Sequence, residues 1–118
     1  MAKVLIVDDE QDICEITSFL FDSNGHETAV AYDANEGFEK VKSFMPDIVL
    51  SDIRMPGGGG ISLLERVSAL SDIKPLVFLI TGYADISKEE ALAKGAVDIF
   101  SKPIKLQDIY DRVMSHLK

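Results

Sequence analysis

The sequence predicts a doubly wound α/β sandwich, a five-stranded parallel sheet with helices on both faces. Three observations carry this expectation. Five short apolar segments alternate with five helix-like ones, the connections between them are too long for hairpins, and three of the segments are apolar throughout, as strands buried on both faces must be. Strict alternation with long connections implies right-handed crossovers and hence a parallel sheet.

The first strand is expected at residues 4–7, followed by a helix with the apolar stripe Ile13, Ile16 and Leu20. A second strand at 28–32 has more polar surroundings and is assigned to a sheet edge. The next helix carries Ala34, Phe38 and Val41, with capping-box spacing at Asp33 and Glu36. The third strand is placed at 48–50, and the helix after it buries Ile61, Leu64 and Val67. The fourth, at 76–80, precedes a helix with Ala91 and Leu92 and a second capping box at Ser87 and Glu90. The fifth, at 97–100, leads into a helix striped by Leu106, Ile109, Tyr110, Val113 and Leu117. Gly25 and Gly95 stand where a helix C-terminus favours a left-handed residue.

Composition narrows the function. A length of 118 residues fits one domain, expected over 1–118, and 47% apolar with 27% charged residues describes an ordinary globule. A net charge of −8 disfavours direct binding to nucleic acid, which depends on Lys and Arg neutralising phosphates. The longest apolar run, 76–80, is far short of the ~20 residues that span a bilayer. The N-terminus lacks signal-peptide architecture and the single cysteine, Cys14, cannot form an internal disulfide, so the cytoplasm is the expected location. Cys14, His26 and His116 are read as structural or solvated.

In an open parallel sheet, ligands bind outside the carboxyl ends of the strands. The residues placed there are Asp8, Asp9 and Glu10 after the first strand, Asp52 after the third, Thr81 and Gly82 after the fourth, and Lys102 and Pro103 after the fifth. Three converging aspartates repel one another, and a hard divalent cation such as Mg²⁺ relieves that repulsion. Zinc would call for His and Cys ligands. Lys102 offers a positive charge and Thr81 a hydroxyl, the complements of a phosphoryl group. A carboxylate can itself be the nucleophile that accepts phosphorus, and Asp52, ending the middle strand, is the candidate.

These elements together resemble the receiver domain of two-component response regulators, of the chemotaxis-Y-like kind. The matching residues are Asp8 and Asp9, then Asp52 within Ser51, Asp52, Ile53, Arg54, Met55 and Pro56, then Thr81 and Gly82, and finally Lys102 and Pro103 preceded by Gly95, Ala96, Val97 and Asp98. The resemblance covers essentially the whole chain. It implies the flavodoxin-like strand order 2-1-3-4-5. It implies phosphorylation of Asp52 by a histidine kinase or histidine phosphotransfer protein, or by a small phosphodonor. Asp9 and Asp52 would bind Mg²⁺, with Asp8 holding a metal water and the Arg54 carbonyl as a further ligand. Lys102 would pair with the phosphoryl group. Thr81 would move toward it, repacking the face of helix four, strand five and helix five for a partner, a fused output domain or a phosphorylation-dependent dimer. Such a module performs no multiple-turnover chemistry on an external substrate.

Two features depart from the family pattern, Ile99 and a glycine run, and two further positions bear on the phosphoryl lifetime. Ile99 occupies the site of an aromatic that swings inward with the threonine; Phe100 is adjacent, but strand alternation aims it at the opposite face. Arg54 and Tyr83 stand where side chains flank the phosphoryl group and tune its hydrolysis, and their bulk is expected to slow it. Only the last of the four glycines at 57–60 is common in the family, and the run is expected to form a mobile loop. It is not a Walker loop, because Ile61 and Ser62 follow rather than Lys and Ser or Thr.

Three alternatives carry weaker support. A small Mg²⁺-dependent phosphohydrolase with an aspartate nucleophile would place a second aspartate two residues on, where Arg54 stands. A flavin binder would not present Asp8 and Asp9 to the cofactor phosphate. A receiver-like interaction module need not keep every phosphorylation residue.

Overall fold

The structure, a computed structural model, describes residues 1–55, 58–82, 86–103 and 105–117. Five strands, β1 (Lys3–Val7), β2 (Glu27–Ala31), β3 (Ile48–Asp52), β4 (Leu76–Thr81) and β5 (Asp98–Ser101), alternate with five helices. The helices are α1 (Gln11–Ser23), α2 (Ala34–Phe44), α3 (Gly59–Ser68), α4 (Lys88–Ala93) and α5 (Leu106–Ser115). All strand pairs are parallel, in the order β2-β1-β3-β4-β5, so the doubly wound, flavodoxin-like architecture is present. β2 lies at an edge, as its polar surroundings predict. It starts and ends one residue earlier than expected, and β5 starts and ends one residue later.

The pleat divides the core in two. Leu5, Val7, Val49, Val77 and Leu79 face α2, α3 and α4, where they meet Val41, Leu63, Leu64, Val67 and Ala91. Val4, Ile6, Ile48, Leu50, Phe78, Ile80 and Phe100 face α1 and α5, where they meet Cys14, Phe21, Ile109 and Val113. The central strands are therefore apolar on both faces because each face is covered. Among the described residues, no helix is long and apolar enough to cross a membrane.

The first helix corrects the sequence reading. Its buried residues are Cys14, Thr17 and Phe21, whereas Ile13 and Ile16 are 36% and 53% exposed. The two stripes have the same spacing and lie one residue apart. Apolar character favours the first, but the large Phe21 ring fills the sheet face and Thr17 is carried in with it. Leu92 and Leu117 are also exposed, while Ala91 is buried.

Local chemistry fixes the helix ends. The Asp33 carboxylate accepts from the Glu36 amide at 2.7 Å and the Ser87 hydroxyl from the Glu90 amide at 3.1 Å, satisfying first-turn donors. Gly25 and Gly95 have the expected positive φ. At the outer edge of β2, residues 28, 30 and 32 turn their main-chain groups away from β1. There Glu36 accepts from the Tyr32 amide at 2.8 Å, and Lys40 donates to the Val30 carbonyl at 2.6 Å.

Both histidines are structural. His26 Nδ1 accepts from the Ala2 amide at 3.0 Å, so Nε2 carries the hydrogen and faces the Tyr110 hydroxyl at 3.1 Å. This ties β1, the turn before β2 and α5 together, with the Phe21 ring against both partners. His116 packs edge-on to Phe78.

The corrected stripe is testable by urea unfolding. Phe21→Ala is expected to cost about 3–5 kcal/mol, as for a fully buried aromatic. Ile16→Ala should change stability by no more than about 0.5 kcal/mol. Equal losses from both would contradict the placement of α1.

Candidate functional site

The ends of β1, β3, β4 and β5 are adjacent in the sheet, which gathers the residues that end or follow them: Asp52 and Thr81 are the last of β3 and β4. One carboxylate oxygen from each of Asp8, Asp9 and Asp52 lies within 4.8 Å of the other two. Asp8 and Asp52 are buried, at 3% and 5% exposure, and Asp9 is exposed. Lys102 reaches across from the end of β5, its Nζ 3.2 Å from Asp52 Oδ2, and the Lys102–Pro103 peptide is cis.

Burial, and to a smaller extent the neighbouring negative charge, leave a signature on Asp8. Burial pushes its pKa up to about 6; the Glu10 amide, which donates to Asp8 Oδ1 at 2.9 Å, works against this, and the negative charge of Asp52 adds to it. Lys102 is held above its ordinary value. Its burial acts in the opposite direction but is outweighed by the hydrogen bond and charge of Asp52, with Asp8 and Glu10 adding to the effect. In the absence of a cation, the lysine is thus the principal counter-charge of the carboxylates.

Beneath the cluster, the Cys14 thiol donates to the Asp8 carbonyl at 3.3 Å. Burial, and then the charge of Asp8, pushes it up to about 11, so it stays a thiol at neutral pH and offers no thiolate to a metal. With both histidines committed elsewhere, the donor set is three carboxylates. That set suits a hard, oxygen-seeking ion such as Mg²⁺ and does not suit zinc.

Above Asp52 opens a cavity of about 420 Å³ lined by Asp52, Arg54, Gly82, Lys102 and Pro103. It has room for a tetrahedral phosphoryl group with water. The Arg54 amide donates to Asp52 Oδ1 at 3.4 Å, and the Arg54 side chain is exposed. Thr81 is buried at the last position of β4, on the same face as Leu79 and Ile99. Ile99 is half-buried against the α2–α4 core, whereas Phe100 stacks on Phe78 in the other core, as alternation requires. Tyr83 lies outside the described residues, as does Gly57 of the glycine run.

Gly59 and Gly60 are not part of a loose tether. They are buried and form the first two residues of α3, against the expectation of a mobile loop. A cluster to which the sequence reading gave no role lies nearby. Asp98, 7% exposed, accepts from Arg112 at 2.6 Å and from the Ile99 amide at 2.8 Å, with Lys88 3.7 Å away. Its burial would raise its pKa, but the Ile99 amide, Arg112 and Lys88 prevail and hold it below the ordinary carboxylate range. One carboxylate therefore joins α4, β5 and α5. Asp98 and Arg112 are fourteen positions apart, a separation with no helical or strand period to reveal it.

Comparison with known proteins agrees with this geometry. The family model described as response regulator receiver domain matches residues 4–114. A response regulator receiver domain protein (CheY-like) from Methanospirillum hungatei JF-1 is 30% identical, with a TM-score of 0.89 over 99% of this chain and 94% of its own. The receiver domain of the Francisella response regulator 1452 is 29% identical, with a TM-score of 0.89 and full coverage of both chains. A structure from Borrelia burgdorferi, described as a CheX-CheY-BeF3-Mg²⁺ complex, is 31% identical, with a TM-score of 0.89 over 98% of this chain and 89% of that one. An acidic triad, a facing lysine and a match that runs through all five strands lead to one conclusion: the chain belongs to the response regulator receiver domain family of two-component signalling.

Proposed function

We propose that this receiver takes a phosphoryl group on Asp52, from the phosphohistidine of a histidine kinase or phosphotransfer protein or from a small phosphodonor. The carrying observation is the buried Asp52 carboxylate paired with Lys102 beside Asp8 and Asp9. The Borrelia complex, described with BeF3 and Mg²⁺, supports the reading by likeness. Asp8, Asp9, Asp52 and the Arg54 carbonyl would hold Mg²⁺, which when bound supplies charge neutralisation and orientation of the phosphoryl oxygens.

In the transfer, an Asp52 carboxylate oxygen bonds to phosphorus as the bond from phosphorus to the donor breaks. The electron pair of that bond returns to the donor, an imidazole nitrogen in the case of phosphohistidine. Lys102 exchanges its carboxylate partner for a phosphoryl oxygen. Thr81 follows with its hydroxyl, and Ile99 on the same face takes up the space vacated there. The face of α4, β5 and α5 is then remodelled for a partner, an output domain or a second copy. Arg54 and Tyr83 restrain the attack of water on the acyl phosphate. No residue supplies the second aspartate of a phosphohydrolase, because Arg54 stands at that position.

Incubation with acetyl phosphate followed by intact-mass measurement tests the assignment. One phosphoryl adduct is expected with Mg²⁺, and none without it or in Asp52→Asn; an adduct that persists in that variant removes Asp52 from its role. Lys102→Ala should slow labelling roughly a hundredfold. Thermal unfolding gives a second test through pH. Because the folded pKa of Asp8 is raised, the folded state binds more protons than the unfolded one between about pH 4 and its own value near 6. Metal-free protein should therefore lose stability as pH rises through that window, and Mg²⁺ should restore it. A flat profile in metal-free buffer would contradict the electrostatic account.

A further inference from the structure

We propose that Gly59 is a positioning residue for Asp52, acting through the peptide unit between Ile53 and Arg54. The proposal rests on Asp52 as the phosphoryl acceptor and assigns a role to a glycine at which the family pattern does not call for one.

The Ile53 carbonyl and the Arg54 amide belong to one rigid plane. At one end of that plane, the Gly60 amide donates to the Ile53 oxygen at 2.9 Å. At the other, the Arg54 amide donates to Asp52 Oδ1 at 3.4 Å, while Lys102 holds Oδ2 at 3.2 Å. The two carboxylate oxygens thus have separate partners, one from the main chain and one from the lysine. Turning the plane would release the first.

Space around α3 determines whether the plane can turn. Gly59 has φ +72°, and a Cβ there would lie 2.2 Å from the Ile53 oxygen. This is a clash with backbone, so no change of rotamer relieves it. A Cβ on Gly60 would lie 2.4 Å from the Asp52 oxygen, which also accepts from the buried Ser51 hydroxyl at 3.0 Å. Gly58 is less tightly enclosed: its Cβ would meet the Ser62 Cβ and hydroxyl, at 2.8 and 2.9 Å, and no carbonyl, whereas at Gly25, φ +87°, a Cβ would meet nothing within 4 Å. The contacts therefore tighten from Gly58 to Gly59, and pass from side chain to backbone, as the chain closes on the plane that carries the Arg54 amide. A side chain at 59 must push the Ile53 carbonyl away, and the rigid plane transmits that push to Asp52 Oδ1.

The test compares wild type, Gly59→Ala and Gly25→Ala, the last placing a Cβ at positive φ in open space away from Asp52. Labelling by acetyl phosphate at saturating donor and Mg²⁺ is read beside hydrogen exchange at the Arg54 and Gly60 amides. Gly59→Ala should label at least ~10-fold more slowly, as misplacement of a reacting group predicts, with faster exchange at Arg54. Gly25→Ala should stay within about twofold of wild type. A folded Gly59→Ala that labels at the wild-type rate, or labels slowly with Arg54 exchange unchanged, overturns the proposal. Should that variant not fold, wild-type exchange decides: Gly60 must be strongly protected, with and without beryllium fluoride, and exchange at the rate of an open loop overturns the proposal. Wild type that takes no label defeats the acceptor reading instead, and leaves the exchange data to judge the positioning separately.

Discussion

Like-charge repulsion among Asp8, Asp9 and Asp52 is the constraint around which the sheet's carboxyl edge is organised. Two of the three carboxylates are buried, so water screens them poorly, and the opposing charge comes from Lys102 just past the end of β5, two strands away from β3. A parallel sheet is suited to such an arrangement because strand ends from distant parts of the chain meet along one line. Its helices, split between the two faces, keep the core dry beneath that line without crossing it.

Most of the fold was legible because the pattern that predicts it also stabilises it. Three strands that are apolar throughout can only be covered on both faces, and the alternation with helices leaves little topological freedom. The placement of the strands followed to within two residues, the largest difference being β3, which runs on to Asp52. The orientation of α1 did not, because two candidate stripes one residue apart differ only in which one the sheet accepts. Ile13 and Ile16 are the more apolar choice by composition, but burial follows the volume of Phe21 and the smallness of Cys14.

The site was legible wherever a residue's meaning is set by the strand that ends before it. Asp8, Asp9, Asp52 and Lys102 converge as their strand positions require. The glycine run was harder to read, because glycine serves mobility and close packing alike, and only the nearby Ile53 and Asp52 carbonyls distinguish the two. Asp98 was also obscure, since its partners come from different helices and its neighbour Ile99 drew the attention of motif reasoning. Ile99 and Phe100 show the limit of substituting by proximity. They are adjacent in sequence yet sit in different cores, so one cannot take over the other's motion.

The treatment of β2 has a consequence for life in a crowded solution. An unpaired strand margin is an invitation to templated assembly, in which another chain adds itself rung by rung. Here Glu36 occupies the Tyr32 donor and Lys40 the Val30 acceptor, so an intruding strand would have to evict a charged side chain to pair at either of these groups. The helix that covers one face of the sheet thereby also guards its rim, and helps keep the folded molecule from polymerising along that side.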